Sequence, residues 1–215
     1  MKRISGRQAA ASGSGAEPST SGSDGGGARA AILQAAAQLL RERGLAATRT
    51  RDVTALAGLS TGLLNHYFTW QALRAAALGQ VLTEGLDELL PAAAVSDPNP
   101  RMSLDTLVEA AFSEAADPLW RLWIEAVEAA PTDTAMAGAI SDANTAFVNR
   151  LAACLRRGVE LGAWRCLDPD GSAFRLTALH DGLVCILLTG LLGLTREAAI
   201  AHMRTAFSLE CPAIG

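Results

Sequence analysis

The residues best suited to chemistry lie between Arg49 and Tyr67: Arg49, Thr50, Arg51, Ser60, Thr61, Gly62, Asn65, His66 and Tyr67. Hydroxyl, amide and imidazole groups can hydrogen-bond base edges and phosphate oxygens, the arginines bring charge to phosphates, and a glycine lets backbone approach closely. What must position them is the run Ala57-Gly58-Leu59-Ser60-Thr61-Gly62. One short helix ends at Ala57, the chain turns through Gly58-Leu59, and Ser60 caps a second short helix. Two helices joined by such a turn are a helix-turn-helix, whose second helix is offered to the DNA major groove. Thr61, Gly62, Asn65 and His66 are therefore expected on its exposed side, with Leu63, Leu64 and Phe68 in the core. Thr48 stands where it would cap the first helix, and backbone amides at both helix starts could bind phosphate.

A second set of residues suggests a small-molecule site. Trp120 and Trp123 are three apart on one expected helix, with Glu125 and Glu128 close by. Indole faces plus carboxylates can hold an organic cation, although an aromatic pair at this spacing equally serves as core. His180 and Asp181 form either a satisfied polar pair or part of a pocket lining, and Asn144 and Arg175 are further candidates. Catalysis finds less support. Gly58-Leu59-Ser60-Thr61-Gly62 spells G-x-S-x-G, but a nucleophile elbow needs a strand before the serine, and here a helix precedes it. No enzyme activity and no cofactor are expected. Cys154, Cys166, Cys185 and Cys211 are widely spaced, without a metal-ligand pattern, and read as reduced thiols in a cytoplasmic chain.

Charge is distributed unevenly. The net value over 215 residues is −4, yet Arg29 to Leu78 carries six arginines against Glu42 and Asp52, a balance of +4. A basic segment on an acidic body confines contact with DNA to one face. Half of the sequence is hydrophobic, enough to bury a core. Residues 1–27 are Gly-, Ser- and Ala-rich and are expected to be a disordered arm whose Lys2, Arg3 and Arg7 could touch phosphates. The first helix is expected from about Ala30 to Arg43, with Gly44 closing it. A long helix should begin near Trp70, and the rest divides into Ser103–Ala116, Pro118–Ala130, Asp133–Leu161, Asp170–Gly193 and Thr195–Leu209. The most apolar stretch, Gly182 to Leu194, is shorter than the roughly 18 residues of a membrane span. No segment alternates as a strand would. The expectation is an all-α chain of about nine helices: an arm (1–27), a three-helix helix-turn-helix domain (28–75), and a helical ligand-binding and dimerisation domain (76–212).

Taken together, Ile32 to Leu40, Gly44, Thr48, Arg51-Asp52-Val53, Ala57 to Leu64 and His66-Tyr67-Phe68 resemble the DNA-binding domain of the TetR family of bacterial repressors. The later Leu179-His180-Asp181-Gly182-Leu183, with Ser60 to Phe68, resembles the betaine-regulator subgroup. The resemblance implies a homodimer, bundled through its last two helices, that reads a palindromic double-stranded operator and is released by a small-molecule inducer of choline type. It places Thr50, Arg51, Thr61, Asn65, His66 and Tyr67 on the family's contact positions. Two departures stand out: Gln71 occupies a position where the family usually has a phosphate-contacting lysine, and Leu73 comes one residue early. Asn65 replaces a common aromatic. The competing reading is a helical interaction adaptor without DNA affinity. For the dimer interface, Gly182, Thr189, Gly190 and Gly193 offer close approach, and Leu187, Leu191, Ile200, Met203 and Phe207 offer apolar area.

Overall fold

The computed structural model describes residues 24–214, so Lys2, Arg3 and Arg7 of the expected arm lie outside the described residues. Within them the chain is all-α: α1 Asp24–Ala47, α2 Thr50–Ala57, α3 Thr61–Tyr67, α4 Trp70–Leu89, α5 Ala92–Val95, α6 Pro100–Ala111, α7 Asp117–Ala129, α8 Thr134–Glu160, α9 Pro169–Thr189 and α10 Arg196–Glu210. The only extended pairing among the described residues is one antiparallel bridge, Trp164 with Ala213.

Local chemistry sets most of the boundaries. Side chains of Ser60, Thr69, Asn99, Asp133, Asp168 and Thr195 each accept from a backbone N–H in the first turn of the helix that follows, supplying an acceptor to an otherwise unpaired donor. Several expectations are corrected. Helix α1 starts at Asp24, inside the segment expected to be disordered; its regular run breaks at Gly44 (φ 78°, ψ 177°), where the helix was expected to close, and one further turn continues to Ala47. Thr48 does not cap α2: it is buried, and its hydroxyl donates to Gly44 O at 2.7 Å. Arg49 occupies the cap position, and its side chain makes no capping hydrogen bond. Helix α9 ends at Thr189, where Gly190 adopts a left-handed conformation, so Gly190 and Gly193 belong to a turn and not to a helix face.

Two apolar clusters hold the protein together. One joins α1, α2 and α3 to α4 through Ile32, Leu40, Val53, Leu64, Phe68, Leu73 and Leu78, and continues into the body through Leu122, Ala126 and Met136. The other fills the body between α4, α6, α7, α8, α9 and α10. Leu119 and Trp123 of α7 pack against both. The expected division at residue 75 therefore falls inside α4, a single helix that shares its buried face between the head and the body. Leu73 is fully buried and Gln71 exposed, so Leu73 points into the core despite its early position. Helix α9 is long and apolar enough to cross a bilayer by length and composition, but buried Ser172, Thr177 and His180 and its packing between α8 and α10 make it a core helix.

Candidate functional site

The first face is that of α2 and α3. Gly58 takes φ 67° and ψ 28°, the left-handed conformation that disfavours any side chain, and its amide and that of Leu59 donate to Ala55 O and Thr54 O at 3.3 and 3.0 Å. The chain thus leaves α2 sharply and enters α3 at Ser60, whose Oγ accepts from Leu63 N at 3.2 Å. Leu64 and Phe68 fasten α3 into the core, and the Arg29 guanidinium sits 4.8 Å from the Phe68 ring centre, tying α1 to the end of α3. With that side buried, Thr61, Gly62, Asn65 and His66 face outward, and Thr50 and Tyr67 are half-buried at the edge.

The charges around this face differ from one another. Arg51 is free to reach outward, its side chain 87% exposed with only Asp52 at 3.7 Å. Arg49 is folded back, donating to the carbonyls of Ala46 and Thr48. Arg74, the possible substitute for the missing lysine, is half-buried, with a buried Nε that has no partner among the described residues. The sequence expectation took both Arg49 and Arg51 as charges at the DNA and the resemblance put only Arg51 on a contact position; the geometry separates them in the same direction.

The second face is a cavity in the body. Residues of α4, α7, α8 and α9 line a small, mostly apolar cavity that opens to solvent. Trp120, Trp123, Asn144 and His180 all line it, joined by Phe147 and Asp181. Trp120 is fixed by its indole N–H, which donates to Ala111 O at 2.7 Å. His180, 4% exposed, is packed against Trp120, Phe112 and Phe147 with ring centres 4.7, 5.3 and 6.2 Å away. Its Nδ1 lies 3.1 Å from Asp181 Oδ1. A proton on Nδ1 satisfies that contact and leaves Nε2 as a buried acceptor with no partner among the described residues. Indole faces, a carboxylate and an unmatched acceptor suit a small cation that also carries a hydrogen-bond donor.

Two expected cavity residues stand elsewhere. Glu125 accepts from Leu45 N at 2.7 Å and Ala46 N at 3.2 Å. The kink at Gly44 breaks the helical ladder and frees these amides, and a carboxylate from α7 supplies the missing acceptor. Arg175 is bound on the far side of α9, donating through Nε and Nη2 to Glu210 at 2.6 Å. Sequence spacing could not separate these from the cavity residues, because facing depends on which neighbour each helix meets. Phe147 was legible only as part of an apolar stripe.

Of the expected interface residues, Met203 is buried and Leu187, Ile200 and Phe207 are partly buried against the chain's own core, while Gly182, Thr189, Gly190, Leu191 and Gly193 are exposed. The exposed side of α9 carries Phe174, Ala178, Gly182, Cys185 and Thr189, a stripe spaced three and four residues apart, with Phe174 63% exposed.

A capped helix-turn-helix on an all-helical body with its own cavity defines a ligand-binding transcription regulator. A family model for bacterial regulatory proteins of the tetR family matches residues 32–69, and one for the C-terminal part of BetI-type transcriptional repressors matches residues 100–212. The chain belongs to the TetR family and carries a BetI-type C-terminal domain. Among solved structures it resembles a Saccharomonospora viridis protein, described as a transcriptional regulator, in complex with choline (24% identity, 86% of this chain and 98% of that one, TM-score 0.70). It is similar also to a TetR transcription regulator from Haloarcula marismortui (21%, 86% and 99%, 0.69). SmeT of Stenotrophomonas maltophilia in complex with triclosan is a third (20%, 85% and 91%, 0.65). No curated protein matches the chain.

Proposed function

We propose that this regulator is a repressor that binds a palindromic operator as a homodimer and is released by a small organic cation bearing a hydrogen-bond donor. The observation that carries the DNA half is the outward set of Thr61, Asn65 and His66 on a capped α3, with Arg51 free beside it. One such helix reads only a few base pairs, so two copies on two half-sites are needed for tight, selective binding. The exposed stripe of α9, with Gly182 at its centre, favours pairing through the last two helices. The effector half rests on the cavity: Trp120 and Trp123 offer indole faces, Asp181 charge, Asn144 an amide and His180 Nε2 an unmatched acceptor. The choline complex of the Saccharomonospora viridis protein supports this ligand class. Arg49, Thr50, Ser60, Gly62 and Tyr67 form the rest of the DNA-contacting surface in this reading, and the protein works in the cytoplasm.

Release follows from linkage. A ligand that prefers the arrangement in which the two heads do not fit successive major grooves lowers operator affinity by the ratio of its affinities for the two arrangements. Fluorescence anisotropy with the duplex lying upstream of the protein's own gene, over a series of salt concentrations, tests the reading. Arg51→Ala should weaken specific and random duplexes alike and reduce the salt slope by about one. Asn65→Ala should relax discrimination at one or two base pairs, costing about 1–3 kcal/mol there. Choline should displace the duplex from the wild type and not from Trp123→Ala. Absence of wild-type binding to either duplex would leave a helical adaptor without DNA affinity as the better description, and binding indifferent to all three changes would overturn the assigned contacts.

A further inference from the structure

The connection between α8 and α9 meets the end of the chain in a short antiparallel pairing. Trp164 bridges Ala213, and Arg165 N donates to Pro212 O at 2.9 Å. Continuing that register by one residue on each side places Cys166 opposite Cys211. In antiparallel pairing, positions that share backbone hydrogen bonds alternate with positions that do not, and the latter bring Cα atoms to about 4.5 Å. Arg165–Pro212 is the bonded position, so the register carried one residue further makes Cys166–Cys211 a close position on the face of Trp164–Ala213, and the two thiols lie near enough to interact. A disulfide spans Cα separations of about 4.4–6.8 Å.

The surroundings distinguish the two sulfurs. Cys166 is half-buried and its thiol donates to Ser172 Oγ at 3.4 Å. That hydroxyl donates to Glu210 Oε2 at 2.7 Å and accepts from Arg175 Nη2 at 3.2 Å, so a fixed cation stands one group away from the sulfur. Cys211 is buried, and burial together with the neighbouring Cys166 pushes its thiol up to about 12. Cys154 is buried in the body and Cys185 lies on the exposed side of α9.

We propose that Cys166 and Cys211 are an oxidant-responsive pair, closed to a disulfide by a peroxide and clamping the end of α10 to the α8–α9 connection. The Cys166 sulfur attacks the outer peroxide oxygen, the O–O bond breaks, and the leaving oxygen takes a proton as alcohol or water. The Cys211 sulfur then attacks the sulfenic sulfur, an S–S bond forms, the S–O bond breaks, and the departing hydroxide takes the Cys211 proton as water. Two sulfurs are oxidised by one electron each, and the two peroxide oxygens are reduced. The resulting covalent loop encloses all of α9 and α10, the helices that carry the cavity's His180 and the exposed stripe. Cytosolic disulfides that do form are mostly transient redox sensors of this kind.

The experiment treats the full-length reduced protein with stoichiometric hydrogen peroxide, blocks remaining thiols with an alkylating agent under denaturing conditions, and maps peptides by mass. The expected product is a Cys166–Cys211 crosslinked peptide with Cys154 and Cys185 alkylated, and a melting temperature raised by about 5–10 °C. Both changes should be reversed by dithiothreitol and absent in Cys166→Ser and Cys211→Ser, whose reduced forms should melt as the wild type does. Alkylatable Cys211 beside an over-oxidised Cys166, or a disulfide joining Cys185 of two molecules, overturns the proposal. Because the peptide map is made on the wild type, it decides the matter even if a serine variant fails to fold.

Discussion

Glu125→Ala tests whether the DNA-binding head is held to the body by one carboxylate. The side chain makes two charge-assisted hydrogen bonds, at 2.7 and 3.2 Å, to the amides that the Gly44 kink releases. Bonds to a charged group contribute about 1.5–3 kcal/mol each; the Ala46 bond is solvent-exposed, so the pair is expected to contribute about 2–4 kcal/mol. Glu125→Gln keeps a neutral acceptor and should lose about half of that. Gly44 provides an independent check, because its φ is 78° and a Cβ there would lie 2.7 Å from Glu125 Oε1. Gly44→Ala should cost on the order of 1–3 kcal/mol for a backbone conformation (φ 78°, ψ 177°) that essentially only glycine adopts, and more for displacing the carboxylate. With Glu125 already removed, that second cost vanishes, so the double variant should lose about 1–2 kcal/mol less than the sum, within the range for residues in contact. Urea unfolding supplies the free energies, and hydrogen exchange at Leu45 and Ala46 reports the bonds directly. Unchanged protection of both amides in Glu125→Ala, or strict additivity in the double variant, would refute the reasoning.

Stability should also depend on acid through Glu210. Its hydrogen bonds from Arg175 and Ser172 lower its carboxyl from 4.5 to about 2. A carboxyl lowered on folding stabilises above the unfolded value and loses that contribution as pH falls. The loss should therefore run from about 4.5 down to 2, and solvent screening should keep it near or below about 1 kcal/mol. Arg175→Ala should flatten that part of a melting-temperature profile against pH. In the body, Gly158 lies against the Trp164 indole, and a Cβ there would sit 1.9 Å from Cζ2. Gly158→Ala must push aside a buried ring whose N–H donates to Leu155 O at 3.0 Å, so it should lower stability by about 1–3 kcal/mol or more, read by thermal unfolding.

The helix-turn-helix was legible because its determinants are local. Ser60 caps its own helix, Gly58 supplies its own left-handed turn, and Leu64 and Phe68 mark the buried side by spacing alone. The all-α class and the capping by Thr195 likewise needed only neighbours in sequence. Helix ends were less legible where tertiary contacts overrule propensity. Gly44 carries the positive φ expected of a terminating glycine, yet α1 resumes after it because Glu125, eighty residues later, accepts the freed amides.

The residue types of this sequence determined that the chain is helical, where it turns, and which short helix presents polar groups outward, since each of these depends on groups within a few residues of one another. Tertiary structure alone decided which candidates share a cavity. Trp120, Trp123, Asn144 and His180 converge there, while Glu125 and Arg175, of equally suitable chemistry, are taken by Leu45 and Ala46 amides and by Glu210. The reason is physical: a charged side chain goes to the unpaired partner that folding brings within reach, and the identity of that partner is set by how distant helices pack.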